Sequence, residues 1–240
     1  MTDLQARGLS VAFEGVHAVE DVDVELAEGE VLGLIGPNGA GKTTVVNVLT
    51  GYVRPVAGEV RLGSRRVTRW GPGRRARAGV ARTFQNVRLF GPLTVADNVR
   101  AAALAVGDDH RTASRTTREL LGRFHLDHRA DALAASLPYG EARWLGMARA
   151  MALKPRFLML DEPAAGLNEA ESRELLSVLS TVPADYGCGL LVIDHDLRLI
   201  MGLCPRIQVL DHGRTIAVGA AAEVRAHDEV RRAYLGSDAA

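Results

Sequence analysis

The chain has 240 residues, with 29 basic against 29 acidic side chains and 47 % hydrophobic residues, an ordinary globular balance that excludes a fibrous or disordered protein. Zero formal net charge gives no electrostatic argument for a polyanionic partner such as nucleic acid. The longest uncharged runs, Val31–Gly41 and Thr43–Val53, are eleven residues each, well short of the roughly 20 that a membrane-spanning helix needs.

The opening MTDLQARGLS lacks the basic-then-apolar layout of a secretory signal, so the chain is expected to stay in the cytosol. Val22, Val24 and Leu26 share one face of a predicted strand, with Asp21, Asp23 and Glu25 on the other. With Leu9–Phe13 before it, this predicts an antiparallel hairpin. Val31–Ile35 is continuously apolar, as in a strand buried on both faces. A glycine-rich loop and a helix from about Gly41 to Leu49, stopped by Gly51, follow it. Gly58–Arg69 reads as a second short hairpin. From Thr94, a candidate N-cap, to Leu153 the pattern is almost entirely helical. Phe157–Leu160, Gly189–Ile193 and Arg206–Asp211 are further strands, separated by helices at Glu169–Val182 and Asp196–Leu203. Alternating strands and helices predict an α/β fold with a parallel central sheet. The helical block forms a separate lobe. Cys188 and Cys204 have no metal-ligand spacing and are expected as buried, reduced thiols.

Of the 29 basic residues 27 are arginine, and the only lysines are Lys42 and Lys154. Lys42 closes Gly36-Pro37-Asn38-Gly39-Ala40-Gly41-Lys42-Thr43, which fits G-x-x-x-x-G-K-[ST] between a strand and a helix. Chance matches at this composition number roughly 0.002. Glycines let successive backbone N–H groups converge on phosphate oxygens, and the helix N-terminus adds its positive end. Lys42 would bridge the β- and γ-phosphates and the Thr43 hydroxyl would ligate Mg²⁺, so the expected ligand is a nucleoside triphosphate with magnesium. Phe157–Leu160 leads into Asp161-Glu162. An acid at the C-terminal end of a buried strand sits where such sheets bind ligands. Asp161 is expected to hold Mg²⁺ through water, and Glu162 to polarise the attacking water.

The strings GLIGPNGAGKTT, ARTFQNVRLF, LPYGEARWLGMARA, LMLDEPAAGLN and VIDHD together resemble an ATP-binding-cassette (ABC) ATPase over nearly the whole chain. More narrowly, ARTFQNVRLF, LTVADNV, DEPAAGLN, HDLRLIMGLCPRI and EVRRAYLG resemble the ATP-binding subunits of branched-chain amino-acid importers. The resemblance implies a P-loop cassette. Residues 1–93 and 154–240 would form the catalytic core with an antiparallel β subdomain, and 94–153 the helical signature subdomain. It implies ATP contacts from Gly36 to Thr44, including Thr44. Phe13 takes the place of the aromatic that stacks on adenine, although a packed strand residue would read the same way. Gln85 matches a glutamine that reaches Mg²⁺ and water on the loop sensing the membrane partner. His195 matches the histidine that contacts the γ-phosphate and orients Glu162.

Leu137-Pro138-Tyr139-Gly140-Glu141 occupies the signature segment, which in the family completes the ATP site of a second, opposed cassette. Here Pro138 and Glu141 replace the serine and glutamine of Leu-Ser-Gly-Gly-Gln. Proline is a natural first helical residue, and free N–H groups at Tyr139 and Gly140 still face a γ-phosphate. Asn168 stands where many cassettes carry an aspartate. The arginine-rich stretch from Arg65 to Arg77 reads as a solvated face, since a nucleic-acid contact would want interleaved aromatics and only Trp70 is there. Implied partners are a second cassette, integral membrane permease subunits and, indirectly, an extracytoplasmic substrate-binding protein, with the chain peripheral on the cytoplasmic face. Two rivals stand beside the importer: a soluble cassette ATPase of repair, chromosome organisation or translation, and the cassette of a lipid or lipopolysaccharide exporter.

Overall fold

Period-two alternation builds the first layer of the computed structural model, which describes residues 3–84 and 87–235. Strands β1 (Asp3–Phe13) and β2 (Val16–Ala27) form the expected hairpin, with Leu4 opposite Leu26 and Ala6 opposite Val24. Val22, Val24 and Leu26 are buried while Asp21, Asp23 and Glu25 face water. Next come β3 (Val31–Ile35), buried throughout, and α1 (Lys42–Leu49). β4 (Ala57–Leu62) and β5 (Arg65–Arg66) then complete a four-stranded antiparallel sheet in the order β2-β1-β4-β5.

The helix α2 (Pro72–Arg77) and strand β6 (Val80–Arg82) were not visible as periodic segments, because three residues are too few to show alternation. Three helices follow, α3 (Val95–Ala105), α4 (His110–Arg123) and α5 (Tyr139–Ala152). Thr94 caps α3 as expected, its hydroxyl accepting from Asp97 N at 3.0 Å. The stretch from 94 to 153 is less continuously helical than its apolar spacing predicts. Gly107 at φ 99° ends the first segment, and between α4 and α5 there are only two short 3₁₀ turns, Asp127–Arg129 and Ala134–Ser136.

The chain then alternates β7 (Phe157–Asp161), α6 (Glu169–Tyr186), β8 (Gly189–Ile193), α7 (Leu197–Leu203) and β9 (Arg206–Asp211), and ends in β10 (Arg214–Gly219), α8 (Ala221–Ala226) and α9 (Asp228–Leu235). α6 runs past the expected stop at Val182: Pro183 lies inside its last turn, and Gly187 in the left-handed region ends it. Pro183 removes one backbone donor without ending a helix whose apolar face is already packed through Val182.

Among the described residues the second sheet has the order β10-β9-β3-β8-β7-β6, parallel from β9 to β6 with β10 antiparallel at one edge. Its two faces explain the unbroken apolar runs. Leu32, Leu34, Met159, Leu191 and Ile193 point into one core with β1, β2 and α1. Val31, Ile35, Leu158, Leu160, Leu190 and Val192 point into another with the helices. A strand covered on both faces has no reason to alternate.

Cys188 and Cys204 are free and buried, and burial pushes both thiols up to about 12. The reactive species is the thiolate, so both should be inert in the folded chain. Titration with a disulfide reagent at pH 8 is expected to consume less than about one-tenth of the thiols before denaturant is added, and both afterwards. Rapid reaction of either thiol in the native protein would contradict this packing.

Candidate active site

The phosphate loop is shaped by what surrounds it. β3 ends at Ile35 and the chain turns through Gly36–Gly41 into α1. At Gly36 (φ 150°) a Cβ would lie 2.0 Å from the Leu210 carbonyl oxygen, and at Gly41 (φ 98°) 2.5 Å from that of Ala18. No other residue type fits at either end of the loop. Between them Pro37, Asn38, Gly39 and Ala40 carry the turn, with Asn38 and Gly39 exposed. Lys42 is buried and folds back across it, Nζ donating to the carbonyls of Gly36 at 2.7 Å and Pro37 at 2.8 Å. Burial pulls the Lys42 ammonium below its ordinary pKa, against the carboxylates of Glu162 and Asp161, which pull it back up. Thr43 is exposed and Thr44 half-buried in the first turn of α1, which carries no acidic residue. Nothing in that turn opposes an anion at the helix N-terminus.

Phe13 is 50 % exposed at the tip of the β1–β2 hairpin, which removes the packed-strand reading. The hairpin reaches the loop through Ala18, against Gly41 and Gly213, and Glu20 N donates to Gly213 O at 2.8 Å. Gln85 lies outside the described residues.

Asp161 ends β7, two strands along the sheet from the loop, with β8 between. Its carboxylate is paired with Arg82, Nη2 to Oδ2 at 2.8 Å, both side chains 7 % exposed. Burial raises the Asp161 pKa and the Arg82 guanidinium opposes that rise. Arg82 also bonds Asn47 on α1 and lies over the Phe84 ring at 4.6 Å. Asn47 is one turn beyond Thr43, so the arginine ties the helix after the phosphate loop to the strand that carries Asp161.

Glu162 follows at φ 51°, a left-handed conformation for a non-glycine residue. Its Oε1 is 2.9 Å from His195 Nε2. The loop bearing His195 is braced by Asp194, whose Oδ2 accepts from Ala164 N at 2.9 Å and Oδ1 from Asp196 N at 2.9 Å. The sequence-predicted Lys42, Asp161, Glu162 and His195 thus converge at the C-terminal ends of the parallel strands. Arg82 and Asp194 were missed as functional supports. Asp194 stands beside His195 in VIDHD with no spacing that marks a bracing role, and Arg82 is one arginine among 27.

The signature segment departs from expectation by one position: Pro138 is the N-cap of α5 and Tyr139 the first helical residue. Pro138 offers no side-chain cap, while the N–H groups of the first turn remain oriented along the helix axis. Leu137 is half-buried and Gly140 packs beside the Glu171 carboxylate and Leu167. Glu141 brings a negative charge to a segment expected to face phosphate, and Arg129 Nε meets it at 3.0 Å. Asn168 caps α6, accepting from Ala170 N at 2.9 Å and Glu171 N at 3.0 Å, a role asparagine fills as well as aspartate. Within the basic stretch Arg75 is not solvated. It is 1 % exposed and donates to the carbonyls of Val48, Leu49, Val67, Thr68 and Trp70. Arg65, Arg66, Arg69, Arg74 and Arg77 are exposed as expected.

A glycine cradle leaving a parallel strand, a lysine folded into it and an acidic strand end two strands away define a nucleotide-binding protein of the P-loop class. The chain belongs to the ABC transporter family, whose model matches residues 19–165. A second model, the branched-chain amino acid ATP-binding cassette transporter, matches residues 214–240. The high-affinity branched-chain amino acid transport ATP-binding protein LivG of Salmonella typhimurium is 41 % identical, the match covering 97 % of each chain. The lipopolysaccharide export system ATP-binding protein LptB of Escherichia coli K12 is 36 % identical over 99 % of each. Among solved structures, the ADP conformation of MJ1267, an ATP-binding cassette of an ABC transporter, matches with a TM-score of 0.87 at 25 % identity, covering 98 % of this chain and 99 % of that one.

Proposed function

We propose that this chain is the ATP-hydrolysing subunit of an importer for branched-chain or other hydrophobic amino acids, acting as one of two opposed cassettes on the cytoplasmic face of the membrane. The observation that carries the hydrolytic reading is the Glu162–His195 contact of 2.9 Å beside a loop whose lysine feels both Glu162 and Asp161. Backbone N–H groups from Gly39 to Thr44 and the Lys42 ammonium bind the phosphates. Phe13 offers its exposed ring to the adenine. Glu162 takes the proton of the attacking water, and His195 keeps that carboxylate turned toward the γ-phosphate.

Magnesium fits the donors present. Thr43 offers a hydroxyl and Asp161 a carboxylate, oxygen ligands that suit a hard cation. Among the described residues no cluster of three or more His, Cys, Asp or Glu could hold a metal, so the remaining ligands are left to phosphate and water, as Mg²⁺ prefers. Bound there, Mg²⁺ neutralises phosphate charge. Gln85 is assigned beside it by the family pattern. From the second cassette, residues 137–141 close the site, with the N–H groups of Tyr139 and Gly140 facing the γ-phosphate.

The membrane subunits dock near Gln85. A cavity of about 480 Å³ is lined by Tyr52, Phe84, Val87, Arg88 and Phe90 among others, with Arg82 and Asp161 on its wall. Among the described residues no helix is long and apolar enough to cross a membrane, so the transport path is assigned to other subunits, and the substrate-binding protein touches those and not this chain. The exporter reading has the LptB relative in its support. The match of residues 214–240 to the amino-acid transporter model favours import. Uptake of labelled leucine tests it: in cells whose only copy carries Lys42→Ala, uptake is expected to fall to background. Undiminished leucine uptake, or a lipid-export defect in its place, rejects the importer.

A further inference from the structure

Glu162 holds a left-handed backbone conformation that is strained in a residue with a Cβ, and no glycine relieves it. Its N–H donates to Ile193 O at 2.8 Å. Its carbonyl accepts from Arg143 Nη1 at 2.5 Å. Arg143 is buried on α5, and its other arm, Nη2, donates to the Tyr139 hydroxyl at 2.6 Å. The two residues are i and i+4 on one face of that helix. The Tyr139 ring in turn lies on Gly166, where a Cβ would be 2.7 Å from Cε1. Arg143 Nε is buried without a hydrogen-bond partner, so the guanidinium is placed for its two arms and not for its own solvation.

We propose that Tyr139 and Arg143 form a strut that positions Glu162: the first residue of the signature helix holds the arginine, and the arginine holds the carbonyl of the carboxylate that activates water. Tyr139 stands at the position that Leu-Ser-Gly-Gly-Gln fills with its first glycine. Glycine has no hydroxyl to offer Arg143, so the departure at this position creates the strut. In the paired cassettes, the signature turn that touches one nucleotide is then mechanically tied to the base that hydrolyses the other. Neither residue touches the reacting atoms through these contacts. Both are positioning residues, and the proposal rests on the reading of Glu162 as the base.

The test uses the purified full chain with MgATP. Tyr139→Phe keeps the ring and the backbone N–H but removes the acceptor. Its kcat is expected to fall about 3- to 5-fold with KM within about 2-fold, and Arg143→Met should lose about 10- to 30-fold in kcat. Arg143→Lys, with one amine able to reach the Glu162 carbonyl, should recover part of the Met loss. Single-turnover hydrolysis in a Glu162→Gln background separates positioning from bulk structure, because a strut acting through Glu162 has nothing left to position. Tyr139→Phe should then add less than about a 2-fold loss. The proposal is overturned if a folded Arg143→Met keeps its kcat, or if the Tyr139→Phe loss is undiminished in the Glu162→Gln background. Should Arg143→Met not fold, Tyr139→Phe decides alone. Parent-rate hydrolysis by Glu162→Gln itself would instead reject Glu162 as the base and leave the hydrogen bonds without a catalytic meaning.

Discussion

Glu162→Gln is expected to lower ATP turnover by roughly 10²- to 10³-fold while nucleotide affinity stays within about 3-fold of the parent. The amide is the same size as the carboxylate and can still meet His195, which lies 2.9 Å away. It cannot accept a proton from water. Lys42 and the loop between Gly36 and Gly41 are untouched, so the phosphates should bind as before. One electrostatic side effect has a known sign. Glu162 helps hold the buried Lys42 ammonium in its charged form, so its loss slightly favours the neutral amine. Asp161 remains to hold the charge. A cassette pair that closes on ATP and cannot hydrolyse it should accumulate as a dimer. Phosphate release and size-exclusion chromatography with ATP, read on the same preparation, check both halves. Hydrolysis at the parent rate would remove Glu162 from the chemistry. Loss of ATP binding would mean that its charge, and not its basicity, is what the site needs.

How much of this could be seen in the sequence depended on range. The phosphate loop is a local object: one strand, six loop residues and one helix, with glycines at positions where the backbone passes within 2.0 and 2.5 Å of neighbouring carbonyls. Asp161 and Glu162 were legible for the same reason, an apolar run ending in acid. The supports were not. Arg82 meets Asp161 across 79 residues of sequence and Asp194 meets Ala164 across 30. No periodicity carries such pairings. The scarcity of lysine drew attention to Lys42, and the abundance of arginine hid Arg82, Arg143 and Arg75 among residues of one type. Arg143 was close enough to find, only four residues from Tyr139, yet its partner is a backbone carbonyl, and carbonyls have no signature. Helix boundaries failed where packing overrode a local signal, as at Pro183 inside α6. The arginine-rich stretch failed in the opposite direction, because one residue in a solvated run turned inward.

That inward residue sets the second large effect. Arg75→Met is expected to destabilise the chain by about 3–5 kcal/mol, through loss of a fully engaged buried donor. Its five N–H···O contacts reach carbonyls of two segments, Val48 and Leu49 in the last turn of α1 and Val67, Thr68 and Trp70 in the loop after β5. Methionine fills much of the volume, so the cavity contribution is small. What remains is the desolvation cost of the Leu49, Thr68 and Trp70 carbonyls, about 1–3 kcal/mol each where water cannot reach, since those of Val48 and Val67 keep the backbone N–H groups of Gly51 and Trp70. The guanidinium also places a positive charge at the C-terminus of α1, the favourable end for a cation. The same helix starts at the end of the Gly36–Gly41 loop proposed to hold the phosphates. Thermal unfolding should shift down by roughly 10 °C, at the 2–4 °C per kcal/mol typical of this chain length. Arg75→Lys should fall between the two, since a single ammonium reaches fewer carbonyls than a planar fork. A shift below about 2 °C for the methionine variant would mean that water replaces the arginine at those carbonyls. In that case α1 would be held by its apolar face alone, through Val45, Val46, Val48 and Leu49, all of which are buried.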